Sequence, residues 1–361
     1  MERKISLVPI IEAVILGIVG GFIFKFLHLP LAWMLGPLTF VLIWRLLTKR
    51  SLHWPIGFRN TGQLILGYSM GLSFTNESAQ QILHQFPSML ISTISMVLFG
   101  FVIAIIISKI VGIGLPSAVM GTTPGGLSQM VVLSEEISEA EPTIVTFMQT
   151  VRMLTVIFIV PILTINTLVA SNIEGDFVVQ QSQVSESGYF QLFIFFVVVF
   201  LFTKLAVRLH CPTPWIIGPL LSSALLSLSG FEPLHVPNFF TIIAQLCLGI
   251  YLGLGMKTNK LNNWRMLLPI TLLSSFLVVG FSLLLAYGLH SIFQISMATA
   301  FLCIAPGGLP EMGVTAQIVN ADLSLVAAFQ LFRVFFILFI IPLFLRKVFG
   351  ENKEEKIVKL S

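Results

Sequence analysis

The sequence predicts an all-α polytopic membrane protein. It is built from two inverted repeats, each with about five transmembrane helices and one Pro-Gly-Gly re-entrant or broken helix. The 361 residues are 56% hydrophobic and only 10% charged, whereas a soluble domain is about one-quarter charged. Long apolar runs recur, and residues 267–287 alone are long enough to cross a hydrocarbon layer of roughly 30 Å as a helix. The third observation is a set of motifs that occurs twice.

The recurring motifs indicate an internal duplication. Three pairs of segments share one constant offset in residue number: LPLAWMLGPL (29–38) with CPTPWIIGPL (211–220), GQLILGYSMGL (62–72) with AQLCLGIYLGL (244–254), and TPGGLSQM (123–130) with APGGLPEM (305–312). After one deletion the offset is shorter by one, and QTVR (149–152) pairs with QLFR (330–333). Chance similarity between apolar segments would not hold this register. The predicted domains are a first membrane repeat (1–170), a polar linker (171–188), a second, inverted membrane repeat (189–347) and a charged C-terminal tail (348–361).

The basic residues predict the orientation, because Lys and Arg accumulate in cytoplasmic loops. Each half has six apolar segments, which in the first half are 7–27, 31–47, 60–74, 88–110, 115–134 and 142–169. With the amino terminus inside and the Pro-Gly-Gly segments re-entrant, only Lys25 of the 20 basic residues faces out. Arg152 and Arg333 lie in the membrane, and the others are inside. A model in which all segments span puts Lys204, Arg208, Lys257, Lys260 and Arg265 outside as well. The re-entrant, inverted model is therefore favoured, with a broken crossing helix as the alternative to the hairpin.

The Pro-Gly-Gly phrase leaves backbone groups unpaired, since proline has no N–H and glycine weakens a helix. Such backbone is tolerated at membrane depth only when it is buried in protein or lines a watery cavity. Transporters with inverted repeats build substrate and ion sites from two breaks of this kind; the alternative is a tight hairpin turn without further function. The candidate substrate-binding residues are Thr123, Pro124, Gly125, Gly126 and Gln129 in the first copy and Pro306, Gly307 and Gly308 in the second.

Two arginines are predicted near the middle of the membrane. Arg152 and Arg333 lie about ten and eleven residues inside their final apolar segments, or about 15 Å at 1.5 Å per residue. A guanidinium at that depth keeps its charge and needs a partner. Either each arginine pairs with an internal acid or with carbonyls freed by the neighbouring break, or both bind an anion in a central cavity. Gln149 and Gln330, three residues earlier on the same helical face, would orient them.

The two copies differ where Gln129 in the first corresponds to Glu311 in the second. Glu311 is therefore the candidate for binding a coupling ion, either H⁺ or Na⁺; the alternative is that it neutralises one arginine. Glu12 is the other acid that looks embedded. Glu141 and Asp322, which match each other at the start of the final span of each half, are expected to favour the helix N-terminus. The Gly-x-x-x-Gly pairs at 67 and 71 and at 249 and 253 are expected to allow close helix packing.

No catalytic residue, resident metal or cofactor is predicted. The six histidines are dispersed near segment ends without metal-ligand spacing. The three cysteines lack CxxC spacing and are expected to be buried packing residues. A nucleic-acid partner is not expected either, because no stretch is long enough to fold as a basic soluble module.

The doubled PGGLxxM phrase, followed about 20 residues later by QxxR, resembles the AbrB-duplication family of bacterial membrane proteins. The resemblance covers about 10–170 and 190–345. That family is also labelled ammonia monooxygenase or AbrB-type regulator, and its name coincides with that of an unrelated soluble transition-state regulator. It is similar to the inverted-repeat cation/proton antiporter and anion transporter superfamily. The resemblance implies an ion-coupled secondary carrier. It also implies an acidic residue directly after PGGLx in both copies, and Gln129 departs from this pattern.

The expected function is secondary active transport of a small organic anion, with a carboxylate as the best fit. The resemblance places the chain in the bacterial plasma (inner) membrane and implies a homodimer. The apolar segments and the basic residues predict a multi-pass protein with both termini cytoplasmic. Its expected partners are an anionic small molecule and the lipid bilayer. The alternatives are a membrane sensor or regulatory protein that binds a ligand without moving it, and a cation or ammonium pathway.

Overall fold

The computed structural model describes residues 8–50, 52–125, 127–137, 139–165, 188–229, 236–255 and 264–349. All regular structure in these residues is helical, and six helices are long and apolar enough to cross a membrane. The predicted all-α membrane fold is confirmed at this level, whereas the number of spans per repeat and their orientation stay predictions. Most of the predicted linker and tail, and the first seven residues, lie outside the described residues.

The helices of the first half are α1 (Val8–Phe26), α2 (Ala32–Thr48), α3 (Ile56–Gly71), α4 (Asn76–His84), α5 (Phe86–Val111), α6 (Leu115–Thr122), α7 (Leu127–Glu136) and α8 (Pro142–Leu163). Those of the second half are α9 (Gly188–Arg208), α10 (Pro214–Leu228), α11 (Asn238–Gly255), α12 (Trp264–Phe293), α13 (Met297–Ile304), α14 (Leu309–Ile318) and α15 (Leu323–Phe349). The six candidate spans fall in α1, α5, α8, α11, α12 and α15.

The duplication recurs in the helix boundaries around the two Pro-Gly-Gly phrases. When the constant offset of the repeated motifs is added to their residue numbers, the first and last residues of α6 and α7 become those of α13 and α14. With the offset that is shorter by one, the first residue of α8 corresponds to the first residue of α15. Each phrase therefore ends one short helix and precedes another. The predicted breaks in the helices are confirmed.

The two ends of the first broken segment lie next to each other. Gly114 precedes α6 and Glu139 follows α7, yet a Cβ built on Gly114 would lie 2.7 Å from the carbonyl oxygen of Glu139. The Glu141 N–H, farther along, donates to the Ser117 hydroxyl in α6 at 2.7 Å. With 8 and 10 residues, α6 and α7 are about 12 and 15 Å long, about half of a 30 Å hydrocarbon core. In this copy the broken segment is therefore a hairpin.

The helices pack into two compact units, and each unit draws on both sequence repeats. The first unit holds α1–α4, α9–α11 and α14. The second holds α5–α7, α12, α13 and most of α8 and α15. The repeats are thus units of sequence, while each unit of packing combines helices from the two halves; α7 and α14, which correspond to each other, lie in different units.

Within the first unit, the Gly-x-x-x-Gly helices pack against helices of the other repeat. A Cβ on Gly67 of α3 would lie 2.3 Å from the Ile216 carbonyl oxygen in α10. A Cβ on Gly249 of α11 would lie 2.4 Å from the Met34 carbonyl oxygen in α2. At both positions the backbones of the two helices are so close that only glycine, which has no Cβ, fits. The two contacts are equivalent under the duplication, since Gly67 corresponds to Gly249 and Met34 to Ile216. The predicted packing role of these glycines is confirmed.

Within the second unit, the first hairpin is fixed on α15 by an apolar cluster. Met120 of α6 and Met130 of α7 are fully buried, together with Ile337 and Ile341 of α15. A Cβ on Gly125, at the tip, would lie 2.4 Å from the Met130 methyl group. The break is therefore held by tight side-chain packing as well as by its backbone bonds.

The glycine contact in the first unit gives a direct test. Gly67→Ala forces a methyl group against the Ile216 carbonyl, which cannot move away without shifting α10. We expect a loss of about 1–3 kcal/mol in stability, as for overpacked cores, seen as a lower unfolding midpoint of the purified protein. Gly280→Ala in α12 is the matched control, because nothing lies within 4 Å of its added methyl group. Equal midpoints for the two variants would contradict the close approach of α3 and α10.

Candidate functional site

The two breaks share one backbone conformation. Thr123 and Ala305, the last residues before each proline, have extended dihedral angles of φ −63°, ψ 128° and φ −50°, ψ 134°. Proline disfavours the helical conformation in the residue that precedes it. The Gly125 N–H donates to the Thr123 carbonyl at 2.7 Å, and the Gly307 N–H to that of Ala305 at 2.8 Å. Each break is thus a three-residue turn around its proline.

Gln149 and Arg152 on α8 hold the end of α6. The Gln149 Nε2 donates to the carbonyl oxygens of Met120 and, at 3.0 Å, Thr123. The Arg152 Nη1 donates to the carbonyls of Thr122 (3.0 Å) and Thr123. The Arg152 Nη2 donates to the Gln149 side-chain oxygen at 2.7 Å, so the glutamine orients the arginine as predicted.

Gln330 and Arg333 on α15 hold the end of α13 in the same way. Their bonds fall on the corresponding carbonyls of the second copy: Gln330 to Leu302 (2.7 Å) and Ala305 (3.2 Å), and Arg333 to Ile304 (3.1 Å) and Ala305 (2.6 Å). The Arg333 Nη2 also donates to the Gly307 carbonyl at 2.6 Å and to the side chain of Gln330. We call each of these two arrangements a guanidinium cap.

The guanidinium cap solves a problem that the break creates. The last carbonyls of a helix have no partner within it, and water cannot supply one inside a membrane. The same helix end carries a partial negative charge, which favours a cation. This matches the first alternative from the sequence, in which the arginines pair with carbonyls freed by the break. Anion binding by the same groups stays a prediction.

The two caps leave buried positive charge without a carboxylate partner. The side chains of Arg152 and Arg333 are 7% and 5% exposed. Neither forms an ion pair within the described residues. Glu12 is no partner for either, because its carboxylate accepts from Trp44 at 2.6 Å and lies 3.5 Å from Arg50.

The motifs in both caps belong to a known family. A family model described as transition state regulatory protein AbrB matches residues 33–349. The chain belongs to the AbrB family. It is 26% identical to "Putative regulator AbrB" of Escherichia coli (strain K12), over 87% of this chain and 89% of the relative. It is 22% identical to "Uncharacterized protein YhjN" of Bacillus subtilis (strain 168), over 99% and 98%.

Glu311 of this AbrB-family chain lies in the first compact unit, in the first turn of α14. The side chain is 5% exposed, and its Oε2 has no hydrogen-bond partner in the described part of the chain. α14 packs on α3, where Gln317 donates to the Ser69 hydroxyl at 2.7 Å. The structure therefore presents an embedded carboxyl group with an unused acceptor, and ion coupling by it stays a prediction.

The other predicted site residues take varied positions. The Thr123 hydroxyl donates back to Val119 at 2.7 Å, so Thr123 contributes to the cap through its carbonyl. Pro306 is buried, Pro124, Gly125 and Gly307 are half-buried and Gly308 is exposed, while Gly126 and the side chain of Gln129 lie outside the described residues. Asp322 accepts from the Leu325 N–H at 3.0 Å, which confirms its role at the helix N-terminus, whereas the same role for Glu141 stays a prediction. No group of three or more metal-ligating side chains occurs among the described residues, and the expected absence of a metal stays a prediction.

A small cavity beside the second cap was not predicted. It has room for about one water molecule. Its walls are Ser92, Thr93 and Met96 of α5, Cys303 and Ile304 of α13, and Phe329 and Arg333 of α15. The sequence does carry a weak signal for the hydroxyl pair, since Ser274 and Ser275 occupy the corresponding positions of the second copy.

The caps predict that arginine cannot be replaced by lysine. Arg152→Lys or Arg333→Lys keeps the charge, but one ammonium group cannot span two carbonyls and the glutamine as a planar guanidinium does. We expect each change to lower stability by about 1.5–3 kcal/mol, the usual contribution of a hydrogen bond to a charged group. Differential scanning fluorimetry of purified protein measures the effect. The control is Arg346→Lys, whose side chain is 56% exposed in an ion pair with Glu136 and should change stability by under about 0.5 kcal/mol. Equal stability of all three variants would argue against the caps.

Proposed function

We propose that this AbrB-family protein is a secondary active transporter of a small organic anion, a carboxylate being the best fit. Its substrate site is at the two Pro-Gly-Gly breaks, and transport is coupled to H⁺ or Na⁺. The observation that carries the proposal is the pair of buried guanidinium groups, neither of which forms an ion pair with a carboxylate in the described residues.

The charge balance at the caps favours an anion. A helix C-terminus offers about half an elementary negative charge, so two helix ends offset only about half of the two arginine charges. Burial of the remainder is costly unless an opposite charge is present. An anion supplies that charge, and a guanidinium fork suits the geometry of a carboxylate.

Unused donors remain in the first cap. The Arg152 Nη1 makes two bonds and Nη2 makes one, and the buried Nε has no partner in the described part of the chain. Two of its five N–H groups therefore have no protein acceptor there. Buried donors without acceptors are rare in proteins and are often found where a ligand binds. The cap thus both supports the helix end and leaves hydrogen-bonding capacity for a substrate.

Glu311 supports the coupling part of the proposal. A carboxylate that is only 5% exposed and has an unpartnered oxygen is stabilised by binding a proton or a cation. Ionisable groups at membrane depth commonly lie on ion pathways. Glu311 is therefore the residue whose occupancy is expected to change during the cycle.

A sensor that binds an anion without moving it is the second candidate. It is favoured by the name of the Escherichia coli relative, which describes that protein as a regulator. A cation or ammonium pathway fits the site less well, because two arginines repel a passing cation.

Flux measurement separates these candidates. Proteoliposomes with purified protein are given radiolabelled mono- and dicarboxylates under an imposed pH gradient, a Na⁺ gradient, or neither. We expect one gradient to drive accumulation above equilibrium, and an ionophore that collapses it to abolish that accumulation. Saturable binding without flux would instead identify a sensor. If ammonium accumulates and no carboxylate binds, the proposed function is wrong.

Replacing Glu311 tests the coupling. Glu311→Gln keeps the shape of the side chain but can neither take up and release a proton nor offer a charge to Na⁺. We expect gradient-driven accumulation to fall to the level seen without a gradient, while exchange of labelled for unlabelled anion continues. Glu77→Gln, at an exposed position in α4, should behave like the wild type. Full gradient-driven accumulation by Glu311→Gln would remove Glu311 from the coupling step.

A further inference from the structure

The cavity beside the second guanidinium cap contains an unused hydroxyl group. Thr93 on α5 is 5% exposed and lines the cavity, and its hydroxyl makes no hydrogen bond within the described residues. Its neighbour Ser92, which also lines the cavity, donates to the Met89 carbonyl at 3.2 Å and keeps its oxygen lone pairs. A hydroxyl that makes no bond to the protein keeps its hydrogen-bonding capacity, so a ligand or a water that accepts from Thr93 is stabilising.

Arg333 forms the cationic wall of the same cavity. The four N–H groups on its terminal nitrogens are taken by the carbonyls of Ile304, Ala305 and Gly307 and by the side chain of Gln330. The fifth, on Nε, makes no bond within the described residues. The polar side of the cavity therefore combines a positive charge with the Thr93 O–H donor. Such a lining selects a group that accepts hydrogen bonds and carries negative charge.

The rest of the wall is apolar and the space is small. Met96, Ile304 and Phe329 face the polar side, and the cavity has room for about one water molecule. One oxygen of a carboxylate fits this volume, and its second oxygen and carbon would occupy the opening. A bulkier polyatomic head such as sulfate does not fit without rearrangement.

We infer that Thr93, Ser92 and Arg333 form the subsite that binds one carboxylate group of the transported anion. The inference rests on the proposed function for the identity of the ligand. Thr93 is the specificity-determining residue, because its hydroxyl lines the cavity as a donor from outside the guanidinium cap. Arg333 supplies the charge, and Ser92 lines the floor beside Thr93.

The duplication provides a matched control in the other copy. Ser275 on α12 is the counterpart of Thr93 and is buried, but its hydroxyl donates to the Thr271 carbonyl at 2.8 Å. Ser274, the counterpart of Ser92, donates to the same carbonyl at 2.8 Å. These hydroxyls are satisfied within their own helix. The carboxylate subsite is therefore a property of the first-copy pair.

The test measures binding of acetate, the smallest stable alkyl carboxylate, by thermal shift on purified protein at constant ionic strength. Acetamide, which has nearly the same shape and no charge, is the reference compound. We expect acetate, and not acetamide, to raise the unfolding midpoint of the wild type, since a ligand that binds only the folded state stabilises it. Thr93→Val, which keeps the side-chain shape and removes the hydroxyl, should weaken the apparent acetate affinity about tenfold or more. Thr93→Ser and Ser275→Ala should retain wild-type affinity.

Two results would overturn the subsite. One is a wild type that shows no difference between acetate and acetamide, and the other is a Thr93→Val variant that binds acetate as the wild type does. If Thr93→Val folds poorly, as judged by its unfolding midpoint without ligand, acetate binding is compared between Thr93→Ala and Thr93→Ser instead, provided that these two variants are equally stable.

The proposed function fails separately. Acetate binding that depends on Thr93, with no gradient-driven carboxylate flux in proteoliposomes, leaves the subsite in place and identifies a sensor. Gradient-driven flux that Thr93→Val does not change overturns the subsite and leaves the transporter.

Discussion

A guanidinium group held against the carbonyl end of a broken helix is the interaction on which the second compact unit depends. The Pro-Gly-Gly phrase ends α6 and α13 where water cannot satisfy their last carbonyls, and each such group left unpaired in hydrocarbon costs several kcal/mol. Arg152 and Arg333 supply the missing donors. The dependence is mutual, because a guanidinium at this burial would itself be unstable without acceptors. Break and arginine therefore stabilise each other, and neither is tolerable alone.

This pairing also determines what the arginines can offer a ligand. Gln149 and Gln330 each bind a carbonyl and the neighbouring guanidinium, so the arginine side chains are fixed before any ligand arrives. A preorganised donor loses little entropy when it binds an anion. The bonds within the caps use most of the N–H groups, however, so a donor from outside the cap strengthens the binding of an anion. In the second cap, the proposed subsite obtains such a donor from Thr93 on α5.

The sequence predicted the parts of this arrangement that depend on composition, period and offset. Apolar length predicted the membrane helices, the constant offset between the repeated motifs located both breaks, and helical spacing placed Gln149 beside Arg152. It did not predict which carbonyls the arginines bind, because those partners lie in a different helix and are brought close by packing of the hairpin on α15. For the same reason, the sequence did not predict that each compact unit combines helices of both repeats. It did not predict the cavity lined by Ser92 and Thr93 either. An ordinary hydroxyl in an apolar helix acquires significance only from neighbours that are remote in sequence.

The asymmetry between the copies follows from what must be duplicated and what need not be. Both short helices end in a break, so both require the same cap, and Gln149, Arg152, Gln330 and Arg333 are kept in corresponding places. In the proposed transporter, a carboxyl group for coupling and a hydroxyl for binding are each needed only once. Accordingly Glu311 corresponds to Gln129, and the unbonded Thr93 corresponds to Ser275, whose hydroxyl is bonded within its own helix. Among the described side chains, neither Glu311 nor Thr93 nor Ser275 takes part in a cap, so their chemistry can differ without loss of the caps.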